Sequence, residues 1–229
     1  MPAEHPASRL LVVEDCPITH RLLTELLTAE GHRVTVAEDV AGGLAAARQH
    51  PHDLAILDLH LPDGSGIDLA GQLPPETPFL ALTIDRTPAA IQACIAAGAL
   101  GYLVKPLEAE TFLRQVRVAL ERGREQRNLR RALRDNETVN KALGVLMGFL
   151  RISARQAFEA LTARAMLCNV KAVALAEEIL AACETLGQVT LRNRSTACLP
   201  DDARAARAFL NQFRVGSAKK HLADFSGFR

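Results

Sequence analysis

The run Leu54-Ala55-Ile56-Leu57 ends on an acid, Asp58, and leads through Leu59-His60-Leu61 into the turn Pro62-Asp63-Gly64. A short continuous apolar run bounded by turn residues reads as a strand buried on both faces, and such strands belong to parallel sheets covered by helices on either side. The rest of the first half agrees. Strands over Leu10–Val13, Val34–Ala37, Asp53–Leu57, Phe79–Thr83 and Gly101–Val104 alternate with helices that open at Pro17, Val40, Ile67, Pro88 and Glu108. That alternation predicts an α/β fold over residues 9–120: a doubly wound, five-stranded parallel sheet with right-handed crossovers.

In such a sheet ligands bind beyond the carboxyl ends of the strands. The residues that fall there are Glu14 and Asp15, Asp58, Thr83 and Lys105. Carboxylates brought to one pocket repel each other by about 4 kcal/mol per pair at 4 Å and an effective dielectric of 20, so they call for a cation. Hard oxygen ligands with room for water suit Mg²⁺. A lysine facing them supplies a mobile positive charge for a phosphoryl group, and a threonine hydroxyl can donate to its oxygens. The chemistry that fits is phosphoryl transfer to Asp58.

The net charge of +1 conceals a division: residues 1–120 carry 8 Lys and Arg against 15 Asp and Glu, and residues 121–229 carry 19 against 11. An acidic first half suits a cation, and a basic second half an anionic partner such as nucleic acid. No apolar run has membrane-spanning length and the first residues carry no secretory signal, so a cytoplasmic chain with no membrane partner is expected. The five cysteines (Cys16, Cys94, Cys168, Cys183 and Cys198) are scattered and never spaced as C-x-x-C, which predicts buried reduced thiols.

Beyond residue 120 the helical pattern continues. Residues 121–138 form a helical connector, and Leu129, Leu133, Asn136, Asn140, Leu143, Met147 and Leu150 fall on a 3.5-residue spacing that suits a coiled-coil dimer. Residues 139–187 hold three apolar-periodic segments, the second opened by the capping box Ser153-x-x-Gln156, and predict an all-α three-helix module. It contains no nucleophile, phosphate loop or acid pair and so reads as a binder rather than an enzyme. Residues 1–8 read as a flexible N-terminus, and 188–229 as a basic tail with a possible short helix over 201–213.

The residues of the first half resemble the response-regulator receiver domain: the Glu14-Asp15 pair, Asp58 followed by Leu-Pro-Asp-Gly-Ser-Gly, Thr83, and Tyr102-x-x-Lys105-Pro106. The resemblance implies a flavodoxin-like fold and a phosphoacceptor at Asp58, phosphorylated by a sensor histidine kinase. It implies Mg²⁺ held by Asp15, Asp58, the backbone carbonyl of His60 and, through water, Glu14. Lys105 and Thr83 would assist the transfer, Thr83 and Tyr102 would form a switch pair, and Pro106 would follow a cis peptide. One departure is Ile84, where such domains carry a small residue lining access to the aspartate; a branched side chain there predicts slow or long-lived phosphorylation. Apart from phosphorylation and dephosphorylation of Asp58 itself, no enzymatic activity is implied.

The second half resembles the ANTAR domain, an RNA-binding antitermination module, through Val139-Asn140-Lys141-Ala142-Leu143-Gly144, Ile152-Ser153, Ala157-Phe158-x-x-Leu161, Ala165-Met166-x-x-Asn169 and Val173-x-Leu175-Ala176-Glu177-Glu178-Ile179. It implies a protein that dimerises on phosphorylation and binds paired RNA hairpin loops; no recognition helix for DNA is evident. Candidate RNA contacts are Lys141, Ala142, Gly144, Arg151, Arg155, Arg164 and Lys171. Leu143, Gly148, Arg151 and Arg164 depart from the family pattern, so the alternative is a signalling or dimerisation protein whose helical module binds a protein partner.

Overall fold

In a computed structural model, which describes residues 7–192 and 201–213, the first half forms β1 (Arg9–Val13), α1 (Pro17–Ala29), β2 (Arg33–Ala37), α2 (Val40–Gln49) and β3 (Leu54–Asp58). A two-stranded hairpin follows, β4 (His60–Leu61) and β5 (Gly64–Ser65), then α3 (Gly66–Gln72), β6 (Phe79–Thr83), α4 (Pro88–Ala96) and β7 (Gly101–Val104). The five long strands are parallel in the order β2-β1-β3-β6-β7. Their alternating side chains build two cores, because successive residues of a strand face opposite sides. Leu10, Val12, Leu54, Ile56 and Phe112 fill one face, and Leu11, Val13, Ala55, Leu57 and Leu69 the other. β1 and β3 lie inside the sheet, which is why both read as unbroken apolar runs.

The chain divides into two units, Met1–Leu129 and Arg130–Arg229. α5 (Ala109–Leu150) begins in the first and ends in the second, followed by α6 (Ala154–Cys168), α7 (Ala172–Arg192) and α8 (Asp201–Asn211). In the second unit Leu146, Leu161, Leu175 and Ile179 form the core of the bundle, and Ala206, Leu210 and Phe213 join it from α8 and the turn after it. The capping box forms as its spacing predicts: Ser153 N–H donates to Gln156 Oε1 at 3.0 Å and Gln156 N–H to Ser153 Oγ at 3.3 Å.

Arg151 ends α5 with φ at 56°, the left-handed conformation in which a glycine is usual. Four expectations change. The stretch after Asp58 is a hairpin rather than a bare turn. The 3.5-residue stripe is not one free seam, since Leu129 and Leu133 are exposed while Leu143 and Leu150 pack against the bundle core. Cys168 is exposed and Cys16 and Cys183 are half-buried, so among the described residues only Cys94 is a buried thiol. Ala142 is fully buried and is a packing residue, not a surface for RNA. The expectations for residues 1–6, Cys198 and the tail at 193–200 and 214–229 lie outside the described residues.

Candidate phosphoacceptor site

The sheet carries each acid to the same edge. β1 runs straight into Glu14 and Asp15, and β3 ends on Asp58, paired in register with Leu82 just before Thr83. One carboxylate oxygen from each of Glu14, Asp15 and Asp58 lies within 4.8 Å of the others. Glu14 and Asp58 are 0% and 5% exposed, whereas Asp15 is open to solvent. β7 feeds Lys105 into the same pocket, tied back by its N–H donating to the Thr83 carbonyl at 2.8 Å and followed by a cis Lys105-Pro106 peptide. The ammonium lies 2.5 Å from Asp58 Oδ2 and donates to Glu14 Oε1 at 2.8 Å.

These groups set one another's charge. Burial raises the Glu14 carboxyl above its ordinary pKa, and the bond and charge of Lys105 pull it part of the way back. Burial works against the Lys105 ammonium, but its bonds to Asp58 and Glu14 outweigh that and leave its pKa raised. Glu14 Oε2 is 2.6 Å from the lysine nitrogen yet out of line for a hydrogen bond, leaving a buried oxygen with no donor. Three carboxylates against one ammonium leave a surplus of about two negative charges. The orphaned oxygen and that surplus are what a hard divalent cation satisfies, so these residues fit Mg²⁺.

The loop beyond Asp58 is held by backbone donors. His60 N–H donates to Asp58 Oδ1 at 3.0 Å, so with Lys105 on Oδ2 both Asp58 oxygens are oriented. The His60 imidazole is exposed. Gly66 passes so close behind that a Cβ there would lie 2.0 Å from the Asp58 carbonyl oxygen. Asp63, read in the sequence only as a turn residue, accepts from Val40 N–H at 2.7 Å and Ala41 N–H at 3.0 Å. It thereby fastens the hairpin to the start of α2, and no local pattern announces a partner 23 residues away. Thr83 is buried, its hydroxyl oxygen accepting from Asp85 N–H at 2.9 Å, while Tyr102 and Ile84 stand exposed near the same edge.

In the second unit the candidate residues are dispersed. Lys141 pairs with Glu137 at 2.7 Å and Arg155 with Glu159 at 2.9 Å, one helical turn apart in each case. Arg164 is half-buried and donates to Gln212 Oε1 at 2.5 Å. Gly144, Arg151 and Lys171 are exposed.

Comparison with known proteins follows the same division. Residues 10–117 match the response regulator receiver domain family and residues 127–180 the ANTAR domain family. The transcriptional regulatory protein KdpE of Mycobacterium tuberculosis is 39% identical over 116 residues, covering 50% of this chain and 51% of that protein. The acid tolerance regulatory protein ActR of Rhizobium meliloti is 36% identical over 111 residues, 47% of this chain and 57% of its own. The chain therefore spans about half the length of these curated relatives. Among solved structures, a CheY-like receiver domain protein from Methanospirillum hungatei aligns with a TM-score of 0.50 at 25% identity, covering 53% of this chain and 99% of that one. Among the described residues no helix is long and apolar enough to cross a membrane.

Proposed function

From the premise that this chain is a response regulator, with a receiver domain over residues 10–117 and an ANTAR domain over residues 127–180, we propose that a sensor histidine kinase phosphorylates Asp58 and that the phosphorylated protein controls gene expression by binding RNA and preventing transcription termination. The observation that carries this reading is the convergence of Glu14, Asp15 and Asp58 around the Lys105 ammonium. In the transfer an Asp58 carboxylate oxygen attacks the phosphorus of a phosphohistidine. A P–O bond forms, the P–N bond breaks, and its electron pair stays on the departing imidazole nitrogen. Asp15, Asp58 and the His60 carbonyl, with Glu14 through water, would hold Mg²⁺, which would supply charge neutralisation at the phosphoryl oxygens. Lys105 moves from the bare carboxylate to the transferred group, and the Thr83 hydroxyl donates to one of its oxygens. Ile84, exposed at the mouth, slows attack by water and lengthens the life of the phosphoryl group.

Phosphorylation adds about 1.5 to 2 negative charges. Thr83 turning toward them vacates space into which the Tyr102 ring can swing, a two-state packing change that makes homodimers competent for paired hairpin loops. Lys141, Arg151, Arg155 and Lys171 supply phosphate contacts there. A second reading, a protein partner at the helical unit, is favoured by the exposure of Phe158, Met166 and Leu167 along α6. The test recovers RNA crosslinked to the full chain in cells, comparing wild type with Asp58→Ala. Enrichment of terminator-proximal hairpins that depends on Asp58 supports the reading. Equal recovery from both, or none from either, removes it.

A further inference from the structure

The sheet edge opposite Asp58 carries a second charged constellation. Arg9 and Arg33 begin β1 and β2 as register partners, with their Cα atoms fixed by the bonds Arg33 N–H to Ser8 O (2.9 Å) and Asp53 N–H to Arg9 O (2.7 Å). Like charges directly opposite on neighbouring strands repel. The nearby acids are already engaged: Glu30 holds Arg117 at 2.8 Å, and Asp53 holds Arg127 at 3.2 Å and accepts from Arg9 N–H at 2.9 Å. Among the described residues neither the Arg9 nor the Arg33 guanidinium is in an ion pair.

Between them opens a cleft of about 240 Å³ lined by Arg9, Arg33, Thr35, His50 and His52, a wall of hydrogen-bond donors with no acid in it. His52 is 6% exposed and its Nδ1 has no hydrogen-bond partner. The cleft shares Arg9, His50 and His52 with a larger one of about 480 Å³, where Ala47, Pro51 and Pro74 add apolar walls, Arg48 and Arg127 further cations, and Asp53 and Glu76 two acids. Two guanidinium forks, a hydroxyl and an imidazole match the oxygens of a tetrahedral dianion, and the adjoining apolar space suits an organic body attached to it.

We propose that this basal cleft binds the phosphate group of a small phosphomonoester through Arg9, Arg33, Thr35 and His52, with the ester's organic part in the adjoining space. Burial, with His50 and Arg9 nearby, holds the His52 imidazole below its usual pKa. The site lies apart from the phosphoacceptor and does not depend on Asp58 being phosphorylated.

The test titrates the full chain, in metal-free buffer with chelator, with inorganic phosphate and separately with glycerol phosphate. Binding is read by calorimetry and by the His52 side-chain nitrogen resonances, assigned with His52→Gln. Saturable binding that shifts those resonances, and that weakens at least tenfold in Arg9→Gln/Arg33→Gln, supports the site. Tighter binding of the ester than of phosphate then assigns the ligand as a monoester, and equal binding assigns free phosphate. Circular dichroism and phosphorylation of Asp58 are measured on the double variant to show that it folds. Binding unchanged in a folded double variant, or no movement of the His52 resonances, overturns the proposal. So does loss of RNA affinity in the double variant without any phosphate binding, which would make the cleft a nucleic-acid contact.

Discussion

The two units place their chemistry in opposite ways. In the receiver, Glu14, Asp58 and Thr83 are buried at the ends of strands, and the backbone that carries them cannot move without moving the core. In the helical unit Lys141 and Arg155 ride on exposed helix surface, held only by acids of their own helix, and Arg151 and Lys171 are exposed between helices. A buried constellation concentrates function in a few atoms, so single substitutions there act in an all-or-none way. A solvated surface spreads it over many weak contacts, each worth little on its own.

The largest expected effect is at Asp58. Asp58→Asn keeps the shape of the site and removes the nucleophile, so phosphoryl incorporation from a small-molecule donor falls to background, as measured by intact-protein mass spectrometry. Incorporation at Asp15 instead would break the comparison, because the site would then tolerate loss of its central atom. Lys105→Ala comes next. It leaves Glu14 and Asp58 buried without a counter-charge and lowers receiver stability by about 3 kcal/mol in metal-free denaturant titrations, with Mg²⁺ restoring part of the loss. The sign against pH follows from the raised lysine pKa: the pair's contribution is complete below the ordinary value of 10.5 and fades as pH rises through the higher folded value. In the helical unit the expected effects are smaller. Lys171→Gln weakens RNA binding only a few-fold and lowers the slope of log affinity against log salt by about one, as read by filter binding at several salt concentrations.

The same contrast explains what could be read from the sequence. The strand-end residues were legible because each sits where an apolar run stops, and period and turn residues locate that point within a residue or two. The hairpin His60–Ser65 was not, since two-residue strands leave no periodic trace, and neither was the Asp63 cap on α2, which joins residues distant in the chain. In the helical unit the capping box and the apolar side of α8 were legible as local patterns. Which face of the end of α5 packs was not. A 3.5-residue seam and a 3.6-residue bundle face overlap over a few turns, so Leu143 served both patterns until the packing chose one, and Ala142 beside it went into the core.

Arg151 provides the finest test of the contrast, because there a backbone role and a chemical role meet on an exposed residue. Its φ of 56° costs an L-residue about 1 to 2 kcal/mol relative to glycine. Glycine brings back about 0.4 to 1 kcal/mol of extra freedom in the unfolded chain. Arg151→Gly should therefore stabilise the helical unit by about 0.5 to 1 kcal/mol in thermal or denaturant melts, while removing one cation from the RNA-facing candidates. If affinity for RNA falls as stability rises, the arginine is kept at a strained helix end for its charge, and the helical unit, like the receiver, pins a functional group by its backbone. If stability rises and affinity does not change, Arg151 is only a helix stop. The binding surface then rests on residues such as Lys171 that the fold leaves free to move.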